Sequence, residues 1–494
     1  MAVPLRSHLM LSLFAAAPFL ALTWWNIWVP YSYWLDELFS VLSSAGSWAE
    51  IISAVLRDVH PPLYQPLLKL WIDIFGTSEP ATRSLSALFA TGAMGAFVFG
   101  FRHRSGAFVV SSVVILGSSW LFAYYGQETR AYALLLLASA VALVLFLNRE
   151  NNPGGKEGRF IWYAVLVVLS LTHYFGLIFA GVLLTFDTFR AWQWGNVLER
   201  VGVGLIILAW PVIHLVFGDI GDKAGGSFWI QSDGIHDSLM TAYAALFPAV
   251  KRALFSAYLA AKWAHVLFLL SVIIITVWWF RISEGPARMR LTQLVGILVV
   301  FVAAVAAIDL HSPISTERNY IVLVPLVAVI GSTMFQGFWE HYKRLFPRLM
   351  IGAALLSYGA ASAAVSVERI ETKWGPVQNW SGLAQEVHEL GICHPHCWFL
   401  DVGWHGRWRY YEHYFGRAMG SDPRSVTIDI TLLEEAIEEV PVPVIGAHIG
   451  RGSIDAIKLQ MPHLQCWQPV QSSRKSVVLL IDVLEGQHDL VPCD

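Results

Sequence analysis

Residues 130–147 read RAYALLLLASAVALVLFL. After Arg130 the stretch carries no charged side chain, and it approaches the roughly 20 residues that an α-helix needs to cross a hydrocarbon layer about 30 Å thick. It is apolar on every side, so a helix built from it must be surrounded by protein interior or by lipid. Ten further runs of this kind lie at 8–29, 82–101, 106–124, 160–172, 174–189, 201–217, 263–280, 291–309, 320–338 and 349–367. The stretch 160–189 is divided in two around Thr172, His173, Tyr174 and Gly176, because the flanking charges then alternate correctly. The first run resembles a secretory signal, but it ends in Trp24, Trp25 and Trp28 without a small-residue cleavage site and reads as an anchor. The expected fold is a polytopic α-helical membrane protein with about eleven transmembrane helices.

Composition agrees. The 494 residues are 56% hydrophobic and 14% charged, against about 25% charged in soluble chains. Lys and Arg (33) nearly balance Asp and Glu (36), giving a net charge of -3, which sets nucleic-acid binding aside. The 22 Trp residues suit a protein with two membrane interfaces. Arg102 and Arg104, Arg149, Lys156 and Arg159, Arg190 and Arg200, Arg281, Arg288 and Arg290, and Lys343, Arg344 and Arg348 mark alternate loops as cytoplasmic. The N-terminus is then cytoplasmic, and residues 30–81, 218–262 and the tail from about 369 share the extracytoplasmic side.

Two domains are expected: a transmembrane module over 1–368 and a C-terminal extracytoplasmic α/β domain over 369–494. In the tail, units such as SGLAQEVHEL, CWFLDVG, SVTIDI, LLEEAIEEV and SVVLLIDVL alternate helical and strand periods. All four cysteines, Cys393, Cys397, Cys466 and Cys493, fall within it, which favours disulfides in an exported domain, with three connectivities open. The Cys-His-Pro-His-Cys stretch also offers zinc ligands, although its spacing is not the usual one.

The first external loop reads YSYWLDELFSVLSSAGSWAEIISAVLRDVHPPLYQPLLKLWIDIFGTSEPATRSLS over 31–86. Asp36 and Glu37 stand together where the chain leaves the first membrane helix. Segments 48–58 and 62–75 put apolar residues on one side at helical spacing and read as helices lying in the interface. Between them, Pro61 and Pro62 stiffen a break and start the second helix. His60, Tyr64 and Lys69 flank that break. A second outer loop, YYGQETRAY at 124–132, brings Glu128 and Arg130 to the same layer, and a third, HSPISTERNY at 311–320, brings Arg318 and Tyr320. His173 and Tyr174 mark the break between the fifth and sixth runs. Each of these groups alone reads as an interfacial anchor or a salt bridge. Gathered at one depth, carboxylates with Arg and His suit a site that binds an anionic lipid head and removes a proton.

The set of an Asp-Glu pair after the first membrane helix, DVHPPLY, IFGTSEPATRSLS, YYGQETRAYALLLL, LTHYFGL and ERNYIVLVP, in order over roughly residues 20–335, resembles the bacterial family-39-like branch of the GT-C glycosyltransferases. This superfamily includes protein mannosyltransferases and the aminoarabinose transferases that modify lipid A. The resemblance implies a multi-pass enzyme of the bacterial inner membrane with its site on the periplasmic face. It implies an inverting transfer of sugar from a polyprenyl-phosphate-linked donor to a hydroxyl on a lipid, glycan or protein acceptor. Asp36 matches the general base and Glu37 its partner. Arg130, Arg318, His60 and Lys69 are the candidates for neutralising the leaving phosphate, with Tyr64, Glu128, His173, Tyr174 and Tyr320 around them. Two departures stand out: His60 occupies the place of a Lys before the Pro-Pro pair of the aminoarabinose transferases, and Glu128 that of an Asp. A divalent metal ion is open as a cofactor, with Asp36, Glu37 and Glu128 as candidate ligands.

The alternative is a transporter or flippase of lipid-linked sugars, which would place charges near the midplane and show repeated halves; no clear repeat is present. A scaffold presenting the tail would leave the loop motifs without a task. The Gly-rich stretch 218–236 suggests a lid that orders over the donor.

Overall fold

Long uncharged runs have only one way to satisfy their backbone in a hydrocarbon solvent, the intrahelical hydrogen bond, and helices dominate the structure, a computed structural model. It describes residues 5–29, 31–149, 155–190, 192, 194–218, 234–247 and 274–373, and in the tail 380–381, 384, 398–401, 413–414, 427–429, 444–449, 466–467, 479–483 and 491–492. The chain divides into two compact units, Met1–Val29 with Ser43–Ile370, and Pro30–Leu42 with Glu371–Asp494.

In the first unit the elements are α1 (Leu5–Asn26), α3 (Trp48–Arg57), α4 (Tyr64–Phe75), α5 (Glu79–Gly100), α6 (Gly106–Ser118), α7 (Trp120–Tyr125), α8 (Tyr132–Asn148), α9 (Lys156–Thr172), α10 (Tyr174–Arg190), α11 (Trp194–Phe217), α12 (Ile235–Leu246), α13 (Gly285–Asp309), α14 (Val324–His341) and α15 (Leu345–Lys373). The short α2 (Leu35–Ala45) begins in the second unit. Every apolar run except 263–280 is therefore described as helix; of that run only 274–280 lies within the described residues, and it is helical. The run 106–124 is two helices rather than one. Ser119 is extended between α6 and α7 (φ -62°, ψ 129°), and the indole of Trp120 donates to the carbonyl of Ala245 at 2.8 Å, a tertiary contact that local sequence does not encode. The two segments read as interfacial are α3 and α4, each too short to span.

Among the described residues, five helices are long and apolar enough to cross a membrane: His8–Asn26, Val197–Phe217, Gly285–Asp309, Glu317–His341 and Leu345–Ile370. Their exposure identifies their solvent. On α11, Leu205, Leu208, Leu215 and Phe217 are each more than half exposed, an apolar surface that water would not tolerate. By contrast α8 is buried on all sides, Leu135, Leu136 and Leu143 fully so, with α5 and α9 packed along it. Hence α8 forms the centre of the helical unit and α1, α11 and α15 its lipid-facing rim.

The break expected within 160–189 is present. His173 is extended (φ -161°, ψ 149°), ending α9 at Thr172, and α10 starts at Tyr174. Gly176 makes the reversal sterically feasible: a Cβ there would lie 2.2 Å from the Leu169 carbonyl oxygen.

In the second unit, β1 (Trp398–Asp401), β2 (Thr427–Asp429), β3 (Val444–Ile449) and β5 (Leu479–Val483) form a parallel sheet in the order β2-β1-β3-β5, and β4 (Cys466–Trp467) pairs with β6 (Val491–Pro492). Parallel neighbours require crossover connections; the residues joining the strands, and with them any helices of the expected α/β arrangement, lie largely outside the described residues. The stretch holding Asp36 and Glu37 is stitched to tail residues of the same unit. The Ser32 hydroxyl accepts from the Ser381 N–H at 2.9 Å, and the Tyr33 N–H donates to the Tyr414 hydroxyl at 2.7 Å. Cys393, Cys397 and Cys493 lie outside the described residues, as do 219–233 of the expected lid.

One methyl group tests the break. Gly176→Ala is expected to destabilise the protein by about 1–3 kcal/mol through the forced clash, seen as a lower melting temperature in detergent. Gly181→Ala, in the same helix with nothing within 4 Å of its Cβ position, is expected to be neutral or to gain up to about 1 kcal/mol in helix propensity.

Candidate functional site

The loop between α3 and α4 is rigid for readable reasons. A capping box between Ser47 and Glu50 starts α3, and Asp58 ends it in an extended conformation (φ -85°, ψ 162°). Pro61 and Pro62 then supply no N–H, and the N–H of Leu63 donates to the carbonyl of Leu171 at 3.0 Å, docking the loop on the end of α9. This brings His60 beside the α9–α10 break, its ring 5.4 Å from that of His173.

Asp58 organises the loop from below. It is 6% exposed and accepts from the Val59 N–H at 2.7 Å, from His60 Nδ1 at 3.1 Å and from Gln65 Nε2 at 3.4 Å. Arg130 Nη2 approaches His60 Nε2 at 3.5 Å. A guanidinium can only donate, so when the His60 ring is neutral Nε2 accepts and Nδ1 carries the proton toward Asp58. The result is a chain from Asp58 through His60 to Arg130. Burial works to raise the Asp58 carboxyl, but the adjacent His60, the charge of Arg130 and the Val59 N–H outweigh it and hold the group well below its ordinary value.

Arg130, 6% exposed, follows α7 on a tight turn. Its N–H donates to the Glu128 carbonyl at 2.7 Å, which also accepts from the Ser86 hydroxyl at 2.5 Å, while Thr82 and Thr129 share a hydroxyl contact at 3.0 Å. Glu128 is fully buried and acts electrostatically on Tyr125. His173 receives the Phe175 N–H on Nδ1 at 3.1 Å, so its neutral form carries the proton on Nε2. Burial, then the charges of His60, Arg130 and Arg318, push His173 well below the usual imidazole range. Its ring also faces Tyr132 at 5.9 Å, and Arg318 lies over Tyr132 at 5.8 Å.

The third loop is held by Asp309, at the end of α13 and 4% exposed. It accepts from the N–H groups of Ile314 (2.6 Å) and Ser315 (3.0 Å), from the Ser238 hydroxyl (2.5 Å) and from the Ser315 hydroxyl. Tyr320 meets that serine at 3.0 Å, which makes it a brace for the loop that presents Arg318.

His60, Tyr64, Gln65, Arg130, Tyr132 and His173 thus line one pocket of about the size of a water molecule, drawn from loops up to about a hundred residues apart. Guanidinium and imidazole N–H groups are donors of the kind that recognise anions, and the void between them admits a water-sized group. Two of the expected site residues face elsewhere. Lys69 is paired with Asp73 one turn along α4 at 2.5 Å, and the Tyr174 hydroxyl meets His214 Nδ1 of α11 at 2.5 Å. Asp36 and Glu37 occupy the first turn of α2 in the other unit. Glu37 is buried and accepts from the Trp34 N–H at 3.3 Å, closing the helix start, while Asp36 is half-buried. Among the described residues no group of three or more His, Cys, Asp or Glu is arranged to hold a metal ion.

Sequence reading passed over Asp58, Gln65, Tyr132 and Asp309. Asp58 was signalled by standing two residues before His60, and Asp309 by being a carboxylate at the end of an apolar run, where an unpartnered charge is expensive.

Because the folded site keeps His173 neutral, unfolding takes up a proton. The stability this contributes is complete above the ordinary imidazole value of 6.5 and declines as the pH falls below it, by at most about 1.4 kcal/mol per pH unit. Melting temperatures from pH 7.5 to 5 are expected to fall in the wild type and to flatten in His173→Gln. Asp58, held below its ordinary 3.8, loses its contribution only in the separate window below that value. Asp309→Ala, which orphans the donors above, is expected to cost about 3 kcal/mol, whereas Asp73→Ala on the exposed side of α4 is expected to change stability little.

No family model and no curated protein matches the chain. Two solved structures of ArnT from Cupriavidus metallidurans do. The apo form has a TM-score of 0.50 and 11% identity, covering 88% of this chain and 85% of that one. The form bound to undecaprenyl phosphate has a TM-score of 0.49 and 12% identity, covering 86% and 90%. At such identity the likeness is one of architecture: this chain shares the overall fold of the apo ArnT structure.

Proposed function

We propose that this protein is an inverting GT-C glycosyltransferase that moves a sugar from a polyprenyl-phosphate donor to a hydroxyl of a glycolipid, polysaccharide or protein at the extracytoplasmic face of the bacterial inner membrane. The observation that carries this reading is the convergence of DVHPPLY, YYGQETRAY and LTHYFGL on one pocket, with Arg130 oriented through His60 by Asp58. The GT-C fold and the resemblance of those motifs support it. The topology that goes with it has eleven crossings, a cytoplasmic N-terminus and the parallel-sheet tail as a periplasmic α/β domain.

In the proposed reaction the Asp36 carboxylate takes the proton of the acceptor hydroxyl as that oxygen bonds to the anomeric carbon. The bond from the anomeric carbon to the phosphate oxygen breaks, and its electron pair leaves with the polyprenyl phosphate. One displacement inverts the centre. Arg130 and Arg318 offset the charge growing on the departing phosphate; His173, kept neutral, adds a donor on Nε2 without competing for the acceptor's proton. Lys69, engaged by Asp73, has the weakest claim to a phosphate role.

The test is transfer by purified protein in lipid from a radiolabelled polyprenyl-phosphate sugar. Asp36→Asn is expected to slow transfer about a hundredfold to ten-thousandfold with donor binding retained, and Arg130→Ala to weaken donor binding and turnover together. Near-normal turnover in Asp36→Asn would remove the base from the mechanism; donor affinity unchanged in Arg130→Ala would make that guanidinium a loop brace.

A further inference from the structure

Gln65 brings to the pocket beside Arg130 an atom that the phosphate role does not use. It stands in the first turn of α4, on the face that buries Leu68 and Ile72, where helical spacing calls for an apolar side chain. It is 3% exposed and lines the pocket with His60, Arg130 and His173. Its Nε2 donates to Asp58 Oδ2 at 3.4 Å. The reverse placement of the amide would set its oxygen against a carboxyl group that is held ionised, so chemistry fixes the orientation. Oε1 is therefore turned from Asp58, buried, and without a hydrogen-bond partner among the described residues.

An amide recruited only to brace Asp58 would leave that oxygen permanently unpaired, and a buried acceptor without a donor is costly. The group that enters the pocket should offer Oε1 a proton. An ionised phosphate oxygen has none, and would meet Oε1 as acceptor against acceptor. An ammonium has protons to offer but would stand beside the Arg130 guanidinium. A hydroxyl meets both demands. It donates to Oε1, and its lone pairs accept from donors lining the pocket, among them His173, whose neutral ring carries its proton on Nε2. The space admits one group the size of a water molecule, so a single hydroxyl fits where a sugar ring does not.

We propose that Gln65 is a specificity-determining residue, its Oε1 accepting from the 2-hydroxyl of the donor sugar. This rests on the reading of Arg130 as a ligand of the donor phosphate. A phosphate held there carries the sugar on its bridging oxygen, and the 2-hydroxyl, on the carbon next to the anomeric centre, is the hydroxyl closest to that oxygen along the bonds. It is the group that a phosphate at Arg130 brings to the adjoining space. The contact also serves the transfer. As the bond to phosphate breaks, positive charge grows on the sugar, and a hydrogen bond from the 2-hydroxyl strengthens, so Gln65 favours the transition state over the ground state. The substrate class selected is an aldose with a free 2-hydroxyl on a polyprenyl phosphate.

The test is equilibrium binding to the full chain in lipid nanodiscs. The probes are decaprenyl phosphate and its glucose, galactose and arabinose conjugates, each conjugate paired with its 2-deoxy-2-fluoro counterpart. Fluorine keeps roughly the size of the hydroxyl but cannot donate. The wild type is expected to bind the hydroxyl form of at least one sugar about tenfold more tightly than the fluoro form, which leaves Oε1 unpaired. In Gln65→Met, which keeps the length and removes the amide, the two forms are expected to bind alike. Taking the ratio within each protein cancels any loss from weaker bracing of Asp58, because that loss falls on both forms. Equal binding of hydroxyl and fluoro forms by the wild type would overturn the proposal whether or not the variant folds, and would leave the pocket to a water molecule. A preference that survives in Gln65→Met would overturn it by placing the 2-hydroxyl elsewhere. Failure of the wild type to bind decaprenyl phosphate itself would instead overturn the reading of the phosphate site.

Discussion

Hydrocarbon cannot hydrate a peptide group or a charge, and the architecture of this chain follows from that constraint. Backbone polar groups within the apolar runs must bond within their own helices, so the helical unit is built of rods, and each break has to be repaired by a specific partner. At Ser119 the repair is its own N–H on the Leu116 carbonyl with the Ser118 hydroxyl on that of Ile115; at His173 it is the Phe175 N–H folding back on the imidazole. Charges follow the same constraint. They gather at the ends of rods, in one cluster around Asp58 and another around Asp187, and each cluster is knit by hydrogen bonds because an unpaired ion there would cost several kcal/mol.

The two clusters differ in what they do with that pairing. Around Asp187, in the last turn of α10, the carboxylate lies in direct contact with the guanidiniums of Arg190 and Arg200, which fixes helix ends against one another. Around Asp58 the pairing is relayed through His60, which leaves the Arg130 guanidinium beside a pocket. Rigidity is supplied from outside the pocket, by Leu63 on Leu171, by Ser86 on the Glu128 carbonyl and by Asp309 beneath the Arg318 loop. Such bracing is what a site needs if its donors are to be already aimed when charge develops on a ligand, since reorientation during the reaction would forfeit the gain.

The helix inventory was legible in the residues because it depends on local properties, the length of an uncharged run and the presence of breakers. The division at Thr172–Tyr174 was readable for that reason, and so were α3 and α4, whose caps and Pro-Pro pair are local signals. Ser119 was not readable: its extended backbone goes with the indole of the adjacent Trp120 on the carbonyl of Ala245, which is distant in sequence. The same difference separates Asp58, whose place two residues before His60 carried a signal, from Tyr132, whose ring contacts come from His173 and Arg318.

What the sequence by itself determined is the medium and the rods: a mean hydropathy of +0.54, the apolar runs, and the loops in which ionisable groups collect. Those are one-dimensional quantities, summed over neighbours along the chain. Tertiary structure alone decided which of the collected groups meet. Tyr174 turned to His214, while His60, Arg130 and His173 converged. Each choice depends on how one helix is rotated against the next, and a rotation is set by close approaches such as Gly100 on the Val144 side chain and Gly176 on the Leu169 carbonyl, where the absence of a single Cβ lets the neighbouring helix come close.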